Sequence, residues 1–168
     1  MTKRVLLVGV FAILAFGCSS PEPGAQAPAN ASDGSVQGPA IDYGADFQPV
    51  ERGSDGSTWR WMGATATVRL KNTQRDMILT VKGRAPLAVP RPPTIQFDFN
   101  GEPLESIPAA RGEVQKTFEI SAAKQAGKSW SMLRIMTTET YVPHDADPNS
   151  SDRRRLGFAL YDLSWTPK

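Results

Sequence analysis

Apolar and polar residues alternate along much of the chain from residue 64 onward, with the period of two that marks a strand buried on one face. In 64–71 the alternation runs throughout, and its apolar face consists of Ala66, Val68 and Leu70. The same period recurs in 76–82, 94–99 and 114–120, and 104–107 is expected to be the returning strand of the hairpin after 94–99. Helical periodicity is scarce, so the pattern predicts a domain built of short strands.

Two further segments, 130–137 and 156–165, are almost continuously apolar, which predicts strands covered on both faces. Asn100-Gly101 suits the two-residue turn of a type I′ hairpin. Residues 121–127 indicate one helical turn that begins at a Ser cap and is closed by Gly. Strands at this spacing predict an all-β fold, namely an antiparallel β-sandwich of seven or eight strands with a jelly-roll-like arrangement.

A different pattern occupies the N-terminus. Lys3 and Arg4 precede 5–16, which is apolar apart from one Gly. This run is shorter than the about 20 apolar residues of a spanning helix, and it indicates a signal peptide over 1–17. The small residue directly before Cys18 resembles the lipobox of bacterial lipoproteins. The resemblance implies cleavage before Cys18, a lipid on its sulfur and a fatty acid such as palmitate on its new amine. The alternative is an ordinary cleavage site beside a free Cys.

The same resemblance implies a location. A Ser after the lipidated Cys suits sorting to a Gram-negative outer membrane, with the protein facing the periplasm. In a host with one membrane, the outer leaflet of the cytoplasmic membrane is the alternative.

The region behind Cys18 divides into a tether and a domain. Residues 19–42 contain five Ala, four Pro, three Gly, four Ser and no aromatic residue. Such a segment cannot bury enough apolar surface to offset its ordering entropy, so 18–42 is predicted to be a lipidated Cys with a disordered tether. All Tyr and Trp residues lie in 43–168, which predicts one β-sandwich domain there.

Composition excludes several kinds of function. Removal of 1–17 takes away Lys3 and Arg4, which brings the 19 basic residues into balance with the 17 acidic ones. A neutral mature chain has no basic excess for nucleic acid, so the lipid anchor is the expected membrane contact. One Cys and one His exclude an intrachain disulfide, a Cys–His dyad and a zinc site made of thiolates and imidazoles.

Candidate catalytic and metal residues are sparse. His144 lies in a polar loop, and the chain has no nucleophile-elbow Ser. Carboxylates such as Asp98, Glu102, Glu139 and Asp162 leave a hydrolase as an alternative, but every β protein has such a set, so we expect no enzyme activity and no cofactor. Asp145, Asp147 and Asn149 have the spacing of calcium ligands, but the EF-hand pattern fails after them. The alternative for this loop is charge balance, in which its Asp residues bond the Arg residues at 153–155.

Aromatic residues form the candidate binding set. In a strand, Trp59 and Trp61 share one face, with Arg60 between them. An open face of this kind suits sugar stacking or a protein contact, whereas an inward face makes the two Trp part of the core. In a domain of this size we expect at least one of them to belong to the core. Tyr141 is a further candidate contact.

Several segments occur in an order that resembles a known class of domain. They are Trp59-Arg60-Trp61-Met62-Gly63, the alternating strand 66–70, Asp98-Phe99-Asn100-Gly101, Tyr141-Val142-Pro143 and the segment 153–160. Together they resemble the β-sandwich accessory domains of bacterial membrane glycosyltransferases and other envelope-glycan proteins. The resemblance implies a glycan-linked role. Together with the lipid anchor expected at Cys18, it leads us to expect a membrane-anchored, non-catalytic domain that binds an envelope polysaccharide or a glycan-assembly protein. The alternative is a structural or assembly lipoprotein that acts through protein contacts.

Overall fold

The computed structural model describes residues 40–110 and 112–168. The predicted signal peptide, Cys18 and nearly all of the tether therefore lie outside the described residues. Within the described ranges, no helix has the length and apolar character needed to cross a membrane.

Ten strands and two short helical turns make up this part of the chain. The strands are β1 (Ile41–Tyr43), β2 (Glu51–Arg52), β3 (Thr58–Met62), β4 (Thr65–Lys71), β5 (Met77–Arg84), β6 (Thr94–Phe99), β7 (Glu102–Pro108), β8 (Glu113–Ile120), β9 (Trp130–Thr137) and β10 (Phe158–Pro167). A 3-10 helix spans Ala122–Gln125, and one α-helical turn, α1, spans Pro143–Ala146.

The strands form two five-stranded antiparallel sheets. Sheet I has the order β1-β4-β9-β6-β7, and sheet II has the order β2-β3-β10-β5-β8. The chain passes from one sheet to the other at most connections, and β6-β7 and β2-β3 are hairpins within a sheet. Eight strands have five or more residues, and β1 and β2 are short additions at the edges. The predicted all-β, jelly-roll-like sandwich is confirmed.

The core lies between the sheets and follows the predicted alternation. Ala66, Val68 and Leu70 of β4 are fully buried, as are the inward residues of β5 and β6. The largest fully buried aromatic side chains are Phe97, Phe99 and Phe158. The alternation of apolar and polar residues predicted this buried face, because alternate side chains of a strand point to opposite sides of the sheet.

The prediction that 130–137 is covered on both faces is wrong. In β9 buried and exposed residues alternate, and the side chain of Met132 is 50% exposed. β9 is bonded to β4 on one side and β6 on the other, so it is interior within the sheet. No further layer of described residues covers its outer face. In β10, Phe158, Ala159 and Leu160 are buried consecutively, and exposed positions follow.

The predicted turns have the expected geometry. Asn100 and Gly101 have φ angles of 54° and 89°, as the type I′ turn of the β6-β7 hairpin requires. The helical turn after β8 is the 3-10 helix, and Ser121 precedes it without a side-chain capping bond. Ala126, with φ 51°, ends it ahead of the expected Gly.

Candidate functional site

A cleft opens at the edge of the sandwich where β3 and β10 separate. Pairing of these two strands ends at Arg60 and Leu160, and a β-bulge follows in β10 between Leu160 and Asp162. A bulge adds a residue and turns the strand, so it re-aims the side chains beside it. The resulting cavity of about 180 Å³, here called the aromatic cleft, is lined by Tyr43, Val50, Thr58, Trp59, Arg60, Leu160 and Tyr161.

Alternation along β3 decides which side chains meet at this edge. Met62 is fully buried, which places Met62 and Arg60 on the inner side of sheet II and Trp59 and Trp61 on its outer side. Both Trp residues are half-buried, and neither belongs to the hydrophobic core. The expectation that at least one of them is a core residue is therefore wrong. β3 lies near the sheet edge, and the outer face of a sandwich sheet has no second layer to cover a large ring.

Trp59 is held by contacts on two sides. Its indole Nε1 donates a hydrogen bond to Glu51 Oε2 on the neighbouring β2, at 3.1 Å. Its ring meets the ring of Tyr161 edge-on, with centroids 6.2 Å apart and an interplanar angle of 85°. Tyr161 is the bulged residue of β10 and is 40% exposed. These contacts give the indole a defined orientation while leaving part of it open to solvent.

An ion-pair network fixes Glu51 in turn. Arg154 Nη1 donates to Glu51 Oε1 at 2.6 Å, and Arg154 Nη2 and Nε donate to the two carboxylate oxygens of Asp152 at 2.7 and 3.0 Å. Hydrogen bonds from the side chain and backbone of Arg154 lower the pKa of Asp152 below its usual value. Side-chain hydrogen bonds to Asp152 and to Glu51 raise the pKa of Arg154 above its usual value. The network joins the loop before β10 to the edge that carries Trp59.

Arg60 and Tyr43 form the inner wall of the cleft. The Arg60 guanidinium carbon lies 4.9 Å from the centre of the Tyr43 ring, a cation–π contact. Tyr43 also packs edge-on against Phe47, with ring centroids 5.5 Å apart. Burial raises the pKa of Tyr43, so its hydroxyl stays protonated and able to donate a hydrogen bond.

The structure separates the other two candidate residues from this cleft. Trp61 lies two residues along the outer face from Trp59 and does not line the cavity. Tyr141 lines a different cavity of about 300 Å³, whose other lining residues include Thr140, Asp145 and Arg155. Burial is the main cause of a raised pKa at Tyr141, and the charge of Asp152 adds to it. Of the sequence-predicted residues, Trp59 and Arg60 both line the aromatic cleft, Trp59 from the outer face of β3 and Arg60 from its inner face.

The calcium candidates form a local turn. Both the backbone N–H and the side-chain amide of Asn149 donate to Asp147 Oδ1, at 3.0 and 3.1 Å. Asp145 lines the Tyr141 cavity, apart from this turn. In the part of the chain that the structure describes, no group of three or more His, Cys, Asp or Glu side chains is arranged to hold a metal ion.

Charge balance in this loop takes the form of the Asp152–Arg154 pair, as the alternative expectation held. His144 pairs through Nδ1 with the carbonyl oxygen of Ser150 at 2.8 Å, which ties the loop to itself.

Two contributors to the cleft are not among the candidate contacts Trp59, Arg60, Trp61 and Tyr141. Tyr161 lies inside the apolar run 156–165, at the bulge of β10, where its ring meets Trp59 and is 40% exposed. Tyr43 comes from the opposite sheet and reaches Arg60 across the sandwich edge. The available signal was their residue type, since each is an aromatic side chain with a polar end.

Comparison with known proteins gives a likeness in shape. No protein-family model matches the chain, and no curated protein sequence does. A family GH115 4-O-methyl-α-glucuronidase with specificity for decorated arabinogalactans is similar over 86% of this chain, at 14% identity and a TM-score of 0.45, and the chain spans 19% of that protein's length. CBM35 from Paenibacillus barcinonensis is similar over 77% of this chain and 94% of its own length, at 15% identity and a TM-score of 0.37. A family 35 carbohydrate-binding module from Clostridium thermocellum is similar over 76% and 92%, at 11% identity and a TM-score of 0.39.

Proposed function

We propose that this protein is a membrane-anchored, non-catalytic β-sandwich that binds a cell-envelope glycan at the aromatic cleft. The observation that carries the proposal is a half-buried Trp59 that is oriented by Glu51 and Tyr161 and lines the same cleft as Arg60. Ligand sites combine apolar walls with a few convergent polar groups, and this cleft has both.

The chemistry of the cleft matches that of a sugar ring. A pyranose presents C–H groups on its faces, which pack on aromatic rings, and hydroxyl groups at its rim, which pair with polar side chains. Trp59 and Tyr161 supply the rings, while Arg60 and the protonated hydroxyl of Tyr43 supply hydrogen-bond donors. The volume of about 180 Å³ lies below the roughly 300–1,000 Å³ of pockets for drug-sized ligands, so the cleft suits a single sugar unit of a chain.

The non-catalytic part of the proposal is supported by the lining of the cleft. Of the described residues that line it, none is Asp, Glu, His or Cys. Glycoside hydrolysis ordinarily needs two carboxyl groups on either side of the bond that breaks. The closest carboxylate in the network, Glu51, is occupied by Trp59 and Arg154.

The anchoring part of the proposal is supported by the sequence before residue 40. A lipid on Cys18 would hold the protein at the periplasmic face of the outer membrane, and the Pro- and Gly-containing segment behind it would let the domain reach the glycan. Mass spectrometry of the native protein tests this part, since an unmodified thiol at position 18 would contradict it.

Binding is tested with the full-length chain on an array of envelope polysaccharides, using Trp59→Ala and Trp130→Ala as a matched pair. Trp130 is also a half-buried outer-face Trp, but it lies on sheet I under the guanidinium of Arg69, 4.7 Å away. We expect W59A to weaken retention by about 30-fold, the effect of losing a central aromatic contact worth about 2 kcal/mol. W130A should bind like the unchanged chain.

Two results would refute glycan binding at the cleft. One is that the unchanged chain is retained by no envelope glycan. The other is equal retention of the unchanged chain and W59A. Either result would favour the alternative, a structural or assembly lipoprotein. Crosslinking in the native envelope should then capture a stoichiometric protein partner.

A further inference from the structure

Arg60 is a half-buried Arg that has no anionic partner among the described residues. Among residues 40–110 and 112–168, no carboxylate lies within ion-pair distance of Arg60, and its side chain donates no hydrogen bond to the protein. Arg154, in contrast, is bonded to both Glu51 and Asp152. A half-buried guanidinium without a counter-charge is costly, because burial removes water that solvates the cation.

The contact that Arg60 does make leaves its hydrogen-bonding edge free. Its guanidinium carbon lies 4.9 Å from the centre of the Tyr43 ring, and its N–H groups donate to none of the described residues. The N–H groups of a guanidinium project from its edge in a fork that matches a carboxylate. The acidic residue next to the cleft, Asp162, is paired with Lys82 at 3.6 Å.

We propose that the aromatic cleft selects a sugar acid, with the ring packed on Trp59 and Tyr161 and the carboxylate bonded to Arg60. This inference rests on the proposed glycan-binding function and adds the class of sugar. A neutral sugar would pair a hydroxyl with Arg60 and leave the cation without a counter-charge. A sugar carboxylate instead accepts two parallel hydrogen bonds and supplies that charge.

The test compares each acidic polysaccharide with its own uncharged form. Polygalacturonate, alginate and hyaluronate are immobilised before and after reduction of their carboxyl groups to alcohols, and retention of the full-length chain is measured. We expect at least one acidic polymer to be retained about 10- to 100-fold more tightly than its reduced form, as a charge-assisted bidentate contact predicts. Free galacturonic acid should compete, whereas acetate or phosphate at the same concentration should not.

Variants at Arg60 assign the preference to this side chain. Arg60→Gln should abolish the difference between acidic and reduced polymers, and Arg60→Lys should keep part of it, because it retains the charge without the fork. Arg75→Gln, at an exposed position outside the cleft, should leave the difference unchanged. Circular dichroism and thermal melting of each variant show that it is folded.

The outcomes separate this inference from the proposed function. Equal retention of acidic and reduced polymers, lost in W59A, overturns the sugar-acid inference and leaves glycan binding intact. An acid preference that persists in R60Q, or equal competition by acetate or phosphate, also overturns it, because the selection would then be general electrostatics or a simple anion site. Retention of no polymer and no envelope glycan overturns both proposals.

Discussion

Replacing Gly83 by Ala tests how tightly β5 and β10 are packed beneath the cleft. Gly83 lies in the middle of sheet II, opposite Leu160 in β10 and Val114 in β8. A Cβ built at Gly83 would overlap the ring of Phe158 and would lie 2.5 Å from the carbonyl oxygen of Ala159. Both neighbours are buried, and the second is backbone, so neither can rotate away.

The size of the effect follows from that distance. An ordinary Cβ contact begins at 3.4 Å, so the backbone of β10 must withdraw by about 0.9 Å. A strand hydrogen bond of about 2.9 Å would then lengthen to about 3.8 Å, beyond the bonding range. Loss of about two such bonds at about 1 kcal/mol each, with about 1–3 kcal/mol of overpacking, gives about 3–5 kcal/mol. That is a large fraction of the free energy of unfolding of a typical domain, which is about 5–15 kcal/mol.

Urea denaturation followed by tryptophan fluorescence and by circular dichroism measures this change. With an m-value of about 2 kcal/mol per M, the midpoint of Gly83→Ala should fall by about 1.5–2.5 M. Gly63→Ala is the control, because the nearest heavy atom to its Cβ, the carbonyl oxygen of Arg155, lies 3.7 Å away. Its free energy of unfolding should change by less than about 1 kcal/mol. An unchanged midpoint for Gly83→Ala would refute the packing argument.

Three further predictions concern the loops and the core. Arg154→Ala should raise the pKa of Asp152 toward its ordinary value, measured by NMR titration. A carboxyl group whose pKa is lowered in the folded state adds stability at pH values above its unfolded-state pKa of about 3.9, and this stability is lost as the pH falls through the folded-state pKa. The variant lacks this contribution, so it should lose less stability than the unchanged chain when the pH is lowered below about 5. Gln125→Ala should cost about 2–4 kcal/mol in urea unfolding, because the fully buried amide bonds the backbone of 73–75. Leu133→Ala should cost about 3–5 kcal/mol by thermal or urea unfolding, because its side chain is fully buried, and a loss below about 1 kcal/mol would contradict the core packing.

Local patterning predicted most of the fold. The faces of β4, β5 and β6, the β6-β7 turn and the sandwich class were all evident from the chain, because strand alternation and turn chemistry depend on neighbouring residues. The exposure of the outer face of β9 was not evident from the sequence. Trp130, Met132 and Met136 share its outer face with Arg134, so three of the four outer residues are apolar. The absence of a layer above sheet I, within the described residues, leaves Met132 half exposed.

The loop between β4 and β5 shows the same limit on a smaller scale. Gln74 adopts a φ of 58°, and the backbone N–H groups of Thr73 and Gln74 both donate to the amide oxygen of Gln125. Gln125 lies about fifty residues later in the chain. A polar residue buried for this purpose has no local signature, because its partners belong to another segment.

The candidate site divides in the same way. The sequence by itself placed Trp59 and Arg60 next to each other on a strand, and strand geometry alone put their side chains on opposite faces. The tertiary structure decided that the Trp59 face is the outer one, that Arg60 lies on Tyr43 of the other sheet, and that the bulge presents Tyr161. The physical reason is that alternation relates side chains along one strand, whereas a binding cleft is formed by side chains from separate strands, whose meeting depends on how the sheets pair and pack.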